Sequence, residues 1–376
     1  MRIEEVPSVL SWSRSQEIMT ALHAVYVERL LKHLGLAIAR ISGADRSRGE
    51  RALAALHSLP DNALNRILTA PETSYRLLWP SHHSPERVAE FLEQAVQAEL
   101  ARLDGTTRPG AEVWTALGDM RFSPDGHRSA AAPIDGMLPI DFESPFALAV
   151  ESEARDGRAR GREGFTAAER QLVSDRLRAA WLGLGKSSRA VSNFVRGFTK
   201  VLVVQKEPPY TGFSSNSRDD RIGRSAVRNP HLAAVDEVDL ADSLVHEAIH
   251  SLLYMQEHRH RWFQDEALYS PQERVRSPWS GNRLPLRYFF HACFVWYGLL
   301  HFWCVALSRG AFRDPARVKA ALVRAARGFV GPRITERVAQ WRQDIDPALL
   351  QTIDQIQEHV IASLGSGAEQ GAFRSA

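Results

Sequence analysis

The chain has 376 residues, of which 44% are hydrophobic and 24% charged, and its formal net charge is +3. This composition is typical of a globular protein with two or three domains, and it excludes bulk disorder. The charge is uneven, because residues 1–150 carry 15 basic and 19 acidic side chains, a net −4, which leaves +7 on the remainder. The excess of positive charge after residue 150 indicates a solvated basic surface, and the alternative is a binding site for an anionic ligand. No nucleic-acid-binding motif accompanies it.

Cysteine usage and the N-terminal segment indicate a reducing compartment. The two cysteines, Cys293 and Cys304, lie in one apolar stretch and supply neither a disulfide framework nor a metal-binding pair. The first sixteen residues, "MRIEEVPSVLSWSRSQ", contain no apolar signal segment, so a cytoplasmic protein is expected. Residues 288–308 are uncharged and long enough to cross a bilayer. Two histidines within this stretch and a proline just before it favour a buried helix of a soluble protein, and no membrane partner is predicted.

The pattern along the chain predicts many helices and few strands. Helices are expected over the first ~105 residues, and loops with short strands over residues 106–150. The charged segment 151–164 predicts an exposed connection, followed by a helix over 165–183. "FTKVLVVQ" predicts a buried strand, and "TGFSSNSRDDRIGRSAVRNP" a hairpin or loop. Further helices are predicted over residues 238–256, 285–308, 314–328 and 332–363.

These elements predict a mainly α protein with a small β-sheet, in the α+β class, in which a metal-binding helix packs against a long apolar helix. We divide the chain into a helical N-terminal region at 1–150, a candidate for substrate binding, and a metal-binding catalytic domain at 165–365. Residues 366–376, in the segment "GSGAEQGAFRSA", predict a disordered tail.

One motif carries the functional prediction. The stretch "LADSLVHEAIHSLL" contains H-E-x-x-H, with His246, Glu247 and His250. Histidines at i and i+4 lie on one face of a helix, one turn apart, which is the spacing that a single metal ion needs. Asp242 lies one turn earlier on that face, where its carboxylate could orient the imidazole of His246. The alternative is a pair of core histidines, but burying Glu with two His is costly without a cation.

A metal in this position needs a third protein ligand, and the sequence leaves two kinds open. The metzincin spacing fails, because Leu253 and Gln256 stand where Gly and His are required. A peptidase of the gluzincin kind would take a later glutamate; Glu257, Glu266 and Glu273 are available, and Glu266 is the best candidate. The other candidate is His291, which lies in the apolar segment after "SPWSGNRLPLRYFF".

The region around the motif resembles a known family. "LADSLVHEAIHSLLYMQE", followed by "YSPQERVRSPWSGNRLPLRYFFHACFVWYGLLHFW", resembles the HExxH-motif proteins found beside radical-SAM enzymes in clusters that modify ribosomally made peptides. In that family a Pro-Trp-Arg…Pro-Arg-Pro-Leu loop precedes a helix with His-Gly or His-Ala. Here Pro278–Trp279, Pro285–Leu286 and His291–Ala292 match these positions, and "FSSNSRDDRIGRSAVRN" is similar to the family's Ser-rich segment.

The resemblance implies an iron(II)- and 2-oxoglutarate-dependent oxygenase that hydroxylates the β-carbon of a residue in a precursor peptide, with a radical-SAM enzyme as a further partner. It implies His246, His250 and His291 as metal ligands, with Glu247 near the metal as a further ligand or a hydrogen-bonding partner, and Glu247 is the candidate catalytic residue. An arginine would bind the 2-oxoglutarate carboxylate, since a guanidinium pairs with carboxylates in a bidentate way. Ser215, in the Ser-rich segment, is the remaining cofactor-binding candidate.

The sequence departs from the family at the arginines. Ser280 and Leu284 occupy the two arginine positions of the loop, which leaves Arg283, Arg287 or a more distant arginine for 2-oxoglutarate. The runner-up function is a zinc metallopeptidase, in which Glu247 is the general base for a zinc-bound water. A third possibility is a non-catalytic peptide-binding protein that retains a vestigial site. The third ligand distinguishes the first two, because His291 favours the oxygenase and a glutamate the peptidase.

Overall fold

The computed structural model describes residues 1–12, 16–105, 108–148, 163–207 and 211–367. The predicted connection at 151–164 and the predicted tail at 366–376 therefore lie outside the described residues, apart from two residues of each. Within the described ranges the chain forms many helices and few strands, so the predicted mainly α class with a small sheet is confirmed.

Thirteen α-helices occur in the described residues, and they begin and end as follows: α1 Val6–Leu10, α2 Gln16–Ala44, α3 Arg46–His57, α4 Asp61–Leu68, α5 Pro71–Leu78, α6 Pro85–Asp104, α7 Pro145–Leu148, α8 Ala167–Ser187, α9 Arg189–Phe198, α10 Glu237–Glu257, α11 Leu286–Ser308, α12 Pro315–Arg327 and α13 Pro347–Gly367. Short 3-10 helices cover Ile3–Glu5, Pro80–His82, Glu266–Tyr269 and Ile334–Trp341.

Ten short strands are found in the same ranges: β1 Val113–Trp114, β2 Met120–Phe122, β3 Arg128–Ala130, β4 Pro133–Ile134, β5 Leu138–Asp141, β6 Val201–Gln205, β7 Ser214–Asn216, β8 Arg224–Arg228, β9 Arg274–Arg276 and β10 Arg283–Pro285. The predicted buried strand is β6, and the predicted hairpin is the antiparallel pair β7–β8.

The described residues form two compact units, each made of segments that are distant in the sequence. The first unit comprises Met1–Leu22, Ala180–Val195 and Glu237–Ala376, and the second comprises His23–Ala179 and Arg196–Asp236. The sequence prediction instead divides the chain into continuous regions. Contacts between residues far apart in the chain decide which segments share a core, and periodicity along the sequence contains no such information.

The second unit joins the helices α3 to α6 with two small sheets. One sheet has the order β1-β2-β3, and the other, of five strands, has the order β4-β5-β6-β8-β7. In the five-stranded sheet β5, β6 and β8 run parallel, and these three strands are buried almost throughout. A continuous apolar run such as that of β6 is typical of a parallel strand covered on both faces.

The first unit is built around α10 and α11. Helix α11 is apolar on all sides, and Gly298 lets it approach α10 closely, because a β-carbon there would lie 2.6 Å from the Ile249 side chain. The predicted packing of the motif helix on the long apolar helix is thereby confirmed. Among the described residues one helix, Leu286–Ser308, is long and apolar enough to cross a membrane, and 67% of its most apolar window is buried within the protein. Burial to this extent is typical of a core helix in a soluble protein.

The C-terminal helical region differs from its prediction. A single helix was expected over residues 332–363, whereas the chain forms a 3-10 helix at Ile334–Trp341 and then α13 from Pro347. Proline lacks the N–H that a continuous helix requires, so it is tolerated only in the first turn. The Asp346 carboxylate accepts a hydrogen bond from the Ala348 N–H at 2.9 Å and begins the new helix.

Candidate metal centre

The H-E-x-x-H motif lies in the second half of α10, in the first unit. No glycine or proline interrupts the helix, and acidic residues in its first turn complement the positive end of the helix dipole. The helix begins at Glu237, earlier than predicted. Asp239 lies in the first turn and pairs with Arg317 at 2.8 Å.

Three histidine side chains form a row within the first unit. His246 and His250 face each other through their Nε2 atoms, 3.2 Å apart, and the Nδ1 atoms of His250 and His291 are 2.9 Å apart. The rings of His250 and His291 are stacked, with centroids 5.1 Å apart. His291 is fully buried, in the second turn of α11. The structure thus brings together the three histidines that the sequence predicted as metal ligands.

The row ends on the carboxylate of Glu257, which the sequence offered only as one of three possible metal ligands of a peptidase. Glu257, the last residue of α10, places Oε1 2.6 Å from Nε2 of His291. Its Oε2 accepts hydrogen bonds from Nε and Nη2 of Arg287, at 2.7 and 2.6 Å. A helical period places Glu257 two turns after His250 and Arg287 one turn before His291, so the helix face that each residue occupies could have been found from the spacing.

Electrostatics hold this row in a defined protonation state. Burial, and then the positive charge that its neighbours His246 and His291 would add, lower the pKa of His250 well below its usual range. Burial alone would raise the pKa of the Glu257 carboxyl, but His291 and Arg287 outweigh it and lower the pKa. The carboxylate is therefore anionic and His250 neutral near pH 7, which is the form of imidazole that binds a metal.

With Glu257 anionic, the imidazole nitrogen that faces it carries a proton, since a carboxylate only accepts hydrogen bonds. His291 therefore donates Nε2–H to Glu257, and between neutral imidazoles the remaining contacts are satisfied when His250 donates Nδ1–H to Nδ1 of His291 and His246 donates Nε2–H to Nε2 of His250. The row is consequently a continuous hydrogen-bonded chain, and each of these buried nitrogens has a partner.

Aromatic side chains surround the histidines. Trp262 and Tyr254 lie against the His291 ring, with centroids 5.1 and 5.0 Å away, and Trp296 lies edge-on to His246 at 6.4 Å. Trp279, from the Pro-Trp loop, stacks on Trp296 at 6.1 Å. These rings shield one side of the site from water.

Asp242 lies one turn before His246, as predicted, but its identified contacts are with other side chains. Its Oδ1 accepts a hydrogen bond from the indole N–H of Trp303 at 2.9 Å, and Nη2 of Arg324 lies 3.1 Å from the same atom. Arg324 also lies over the Trp296 ring, 5.8 Å from its centroid. The role of Asp242 in orienting His246 stays a prediction.

The remaining predicted residues lie in different surroundings. Glu247 is buried in α10, 2% exposed. Arg283 is exposed in the β9–β10 hairpin, where it donates to the Arg274 carbonyl at 3.1 Å. Ser215 is a half-buried residue of β7, in the second unit. Glu266, the third ligand of the peptidase alternative, is 76% exposed and pairs with Arg261 at 2.9 Å.

The row fits a metal in its donor type and in the spacing of its first pair. Two imidazole nitrogens bound to one tetrahedral ion at 2.0–2.1 Å are roughly 3.3 Å apart, close to the 3.2 Å between His246 and His250. His250, however, faces His246 and His291 with different nitrogens, so all three can share one ion only if His250 or His291 turns. Accordingly, no group of three His, Cys, Asp or Glu side chains in the described ranges is arranged, as it stands, to hold a metal ion.

Comparison with known proteins adds no assignment. No protein-family model matches the chain, and no curated protein sequence is significantly similar to it. The family resemblance of the motif region therefore stays a prediction.

Proposed function

We propose that this protein is a metal-dependent oxygenase that uses iron(II) and 2-oxoglutarate to hydroxylate the β-carbon of a residue in a ribosomally made precursor peptide, in the cytoplasm. The observation that supports it is the contact of His291 with the motif histidine His250, at 2.9 Å. His291 is the third metal ligand that the oxygenase would use. Glu266, the preferred glutamate of the peptidase alternative, is exposed and paired elsewhere, and Glu257 is bonded to His291 and Arg287.

In this proposal His246 and His250 hold the iron through Nε2, and His291 completes the set. Three protein ligands leave the remaining coordination positions open, as a site that binds both a cosubstrate and oxygen requires. The bound iron(II) would activate molecular oxygen, which is the oxidant: one oxygen atom enters succinate as 2-oxoglutarate loses carbon dioxide, and the other hydroxylates the unactivated C–H bond. The surrounding rings of Trp262, Trp279 and Trp296 exclude water, which protects an oxidising centre from side reactions.

Glu247 and the arginines take supporting parts in the proposal. Glu247 lies between the two motif histidines in sequence and is buried, so its carboxylate acts within a site of low dielectric constant. Of the two arginines expected to bind 2-oxoglutarate, Arg287 contacts the carboxylate of Glu257, which is bonded to His291. Arg283 is exposed in the β9–β10 hairpin. The precursor peptide, a radical-SAM partner and peptide binding by the N-terminal region are parts of the proposal that rest on the family resemblance.

The test needs no peptide. Metal-free protein is mixed anaerobically with iron(II) and then 2-oxoglutarate, and the visible spectrum is recorded for the wild type, His291→Ala and His301→Ala. Bidentate chelation of 2-oxoglutarate to iron(II) gives a weak metal-to-ligand charge-transfer band. We expect the band in the wild type and its loss in His291→Ala.

His301→Ala is the matched control, because His301 lies on the same helix but contacts Tyr297 and His359, away from the row. It should retain the band. If the wild type gives no band but binds one equivalent of zinc tightly, the oxygenase is ruled out. The zinc peptidase, with Glu247 as general base, then becomes the function to assay.

A further inference from the structure

The position of Glu257 gives it access to the row of histidines from outside the H-E-x-x-H motif. It follows His250 by seven residues and His246 by eleven, so all three lie on the same face of α10. As the last residue of the helix, it extends its carboxylate past the row toward α11. The side chain is only 6% exposed.

The two carboxylate oxygens have separate partners. Oε1 receives Nε2–H of His291 at 2.6 Å, and Oε2 receives both Nε–H and Nη2–H of Arg287. The side chains of these partners are 0% and 14% exposed, respectively. Because His291 and Arg287 are one turn apart on α11, one carboxylate reaches both without leaving the interface between the two helices.

This geometry fixes the tautomer of His291. A carboxylate bound to a guanidinium is ionised and only accepts hydrogen bonds, so the imidazole nitrogen that faces it must carry the proton. In the neutral ring, which is the form that binds a metal, the other nitrogen, Nδ1, presents its lone pair, and it is the atom turned toward His250. Histidines that bind metals commonly donate their second N–H to a carboxylate in this manner, which orients the ring and raises the basicity of the ligand.

We propose that Glu257, held in place by Arg287, is the positioning residue of the metal centre: it fixes His291 as the Nε2–H tautomer and so makes Nδ1 the metal-binding atom. The inference rests on the metal centre of the proposed function, though not on its cosubstrate or peptide. It gives Arg287 the role of anchoring Glu257, so the 2-oxoglutarate carboxylate would pair with a different arginine.

A purely structural role for the same contacts makes a different prediction. Buried ion pairs also tie helices together, and their loss lowers stability without changing how an adjacent histidine binds a metal. The two roles separate in a measurement of the tautomer and of metal affinity, made on protein that remains folded.

The first measurement is nitrogen-15 NMR of the histidine side chains in wild-type protein, in the metal-free and zinc-loaded forms, with His291 assigned from His291→Ala. We expect protonated Nε2 in both forms and a zinc-induced shift at Nδ1. Protonated Nδ1 in the metal-free protein, or a zinc-induced shift at Nε2, would overturn the assignment without any variant of Glu257.

The second measurement is a cobalt(II) titration followed by the visible absorption of the bound ion, with wild type, Glu257→Gln and Asp239→Asn. Glutamine is similar in size but can donate its amide N–H to His291, which favours the opposite tautomer. We expect the cobalt Kd of Glu257→Gln to rise 10- to 100-fold, as for other residues that orient metal-bound histidines. Asp239→Asn makes the same chemical change on the same helix, at its far end beside Arg317, and should bind cobalt like the wild type.

The outcomes separate the two proposals. If wild-type protein binds no cobalt, the metal centre itself fails, and the role of Glu257 with it. If the wild type binds and Glu257→Gln binds within threefold of it, the metal centre stands and the positioning role is refuted. If Glu257→Gln does not fold, the NMR measurement on the wild type decides the question.

Discussion

Substitution of Gly328 by alanine should disturb both the stability of the first unit and the candidate metal centre. Gly328 follows the end of α12, and a β-carbon there would lie 2.2 to 2.4 Å from three atoms of the Trp279 indole. That ring is held by a 2.9 Å hydrogen bond from Nε1 to the Ala325 carbonyl and is stacked on Trp296, which borders His246. The backbone of Gly328 has φ −73°, so alanine introduces no backbone strain and the effect comes from the ring contact alone.

The magnitude follows from how the indole can respond. Ordinary contacts of a β-carbon begin near 3.4 Å, so the ring must shift by about 1 Å. Overpacking of this kind costs about 1 to 3 kcal/mol. The shift also weakens the indole hydrogen bond, which contributes about 1 kcal/mol. Complete expulsion of Trp279 would cost more, since a tryptophan buries 150–250 Å² at about 25 cal/mol per Å². We therefore expect a loss of about 2 to 4 kcal/mol.

The assay is urea denaturation of wild type, Gly328→Ala and Gly365→Ala, followed by far-UV circular dichroism. Gly365 lies in α13, and nothing is within 4 Å of a β-carbon placed there, so its substitution should stabilise the protein by up to about 1 kcal/mol. Gly328→Ala should also weaken cobalt binding, because Trp296 moves with Trp279. If Gly328→Ala unfolds within 0.5 kcal/mol of the wild type and binds cobalt normally, the packing of the Pro-Trp loop described above is wrong.

Two further substitutions test the surroundings of the site and the second unit. Trp303→Phe removes the indole N–H that donates a 2.9 Å hydrogen bond to the Asp242 carboxylate. Urea denaturation should show a loss of about 1.5 to 3 kcal/mol in the free energy of unfolding, the usual contribution of a hydrogen bond to a charged group. No change would show that the contact with Arg324 alone suffices to stabilise the carboxylate. Burial, which outweighs the hydrogen bonds from Ser144, raises the pKa of Asp141 to about 6 from 3.8, so the folded state binds more protons than the unfolded state between these values. The stability of the second unit should then fall by about 2 to 3 kcal/mol as the pH rises from 4 to 6.5, and Asp141→Asn should flatten that dependence; equal slopes in the two proteins would contradict the shift.

Much of the candidate site could be predicted because it depends on the period of a helix. His246 and His250 are i and i+4 on a segment with apolar residues around them, so their common face follows from the sequence alone. The same reasoning extends to Glu257, which lies two turns further on. Its partner could not be predicted in this way, because the contact with His291 depends on how α10 packs on α11, and that crossing is set by Gly298 and Ile249.

The limits of sequence reasoning are clearest where residues distant in the chain converge. Residues 1–22 belong to the same unit as α10 and α11, although their helical pattern resembles that of the residues that follow them. Pro347 marks the start of α13 for a local reason and could have been recognised as a helix start. The difference between these two cases is physical, since a proline acts on its own backbone whereas unit membership depends on packing between segments.

The direction in which each histidine ring nitrogen points has the most direct bearing on function, and no sequence pattern predicts that direction. In the row from His246 to Glu257 the ring nitrogens face one another, so the metal of the proposed function would bind to all three histidines only after His250 or His291 turns. In that proposal the metal-binding arrangement is a minor conformation of the metal-free protein, and the apparent affinity is reduced by the fraction of molecules that adopt it. The outer nitrogen of His291 is bonded to a charged carboxylate that Arg287 holds, whereas His250 contacts other imidazoles in the row, so His250 is the ring that we expect to turn. A rotation of His250 that frees Nδ1 of His291 and directs Nε2 to a shared ion would convert the row into the proposed three-histidine centre without moving either helix.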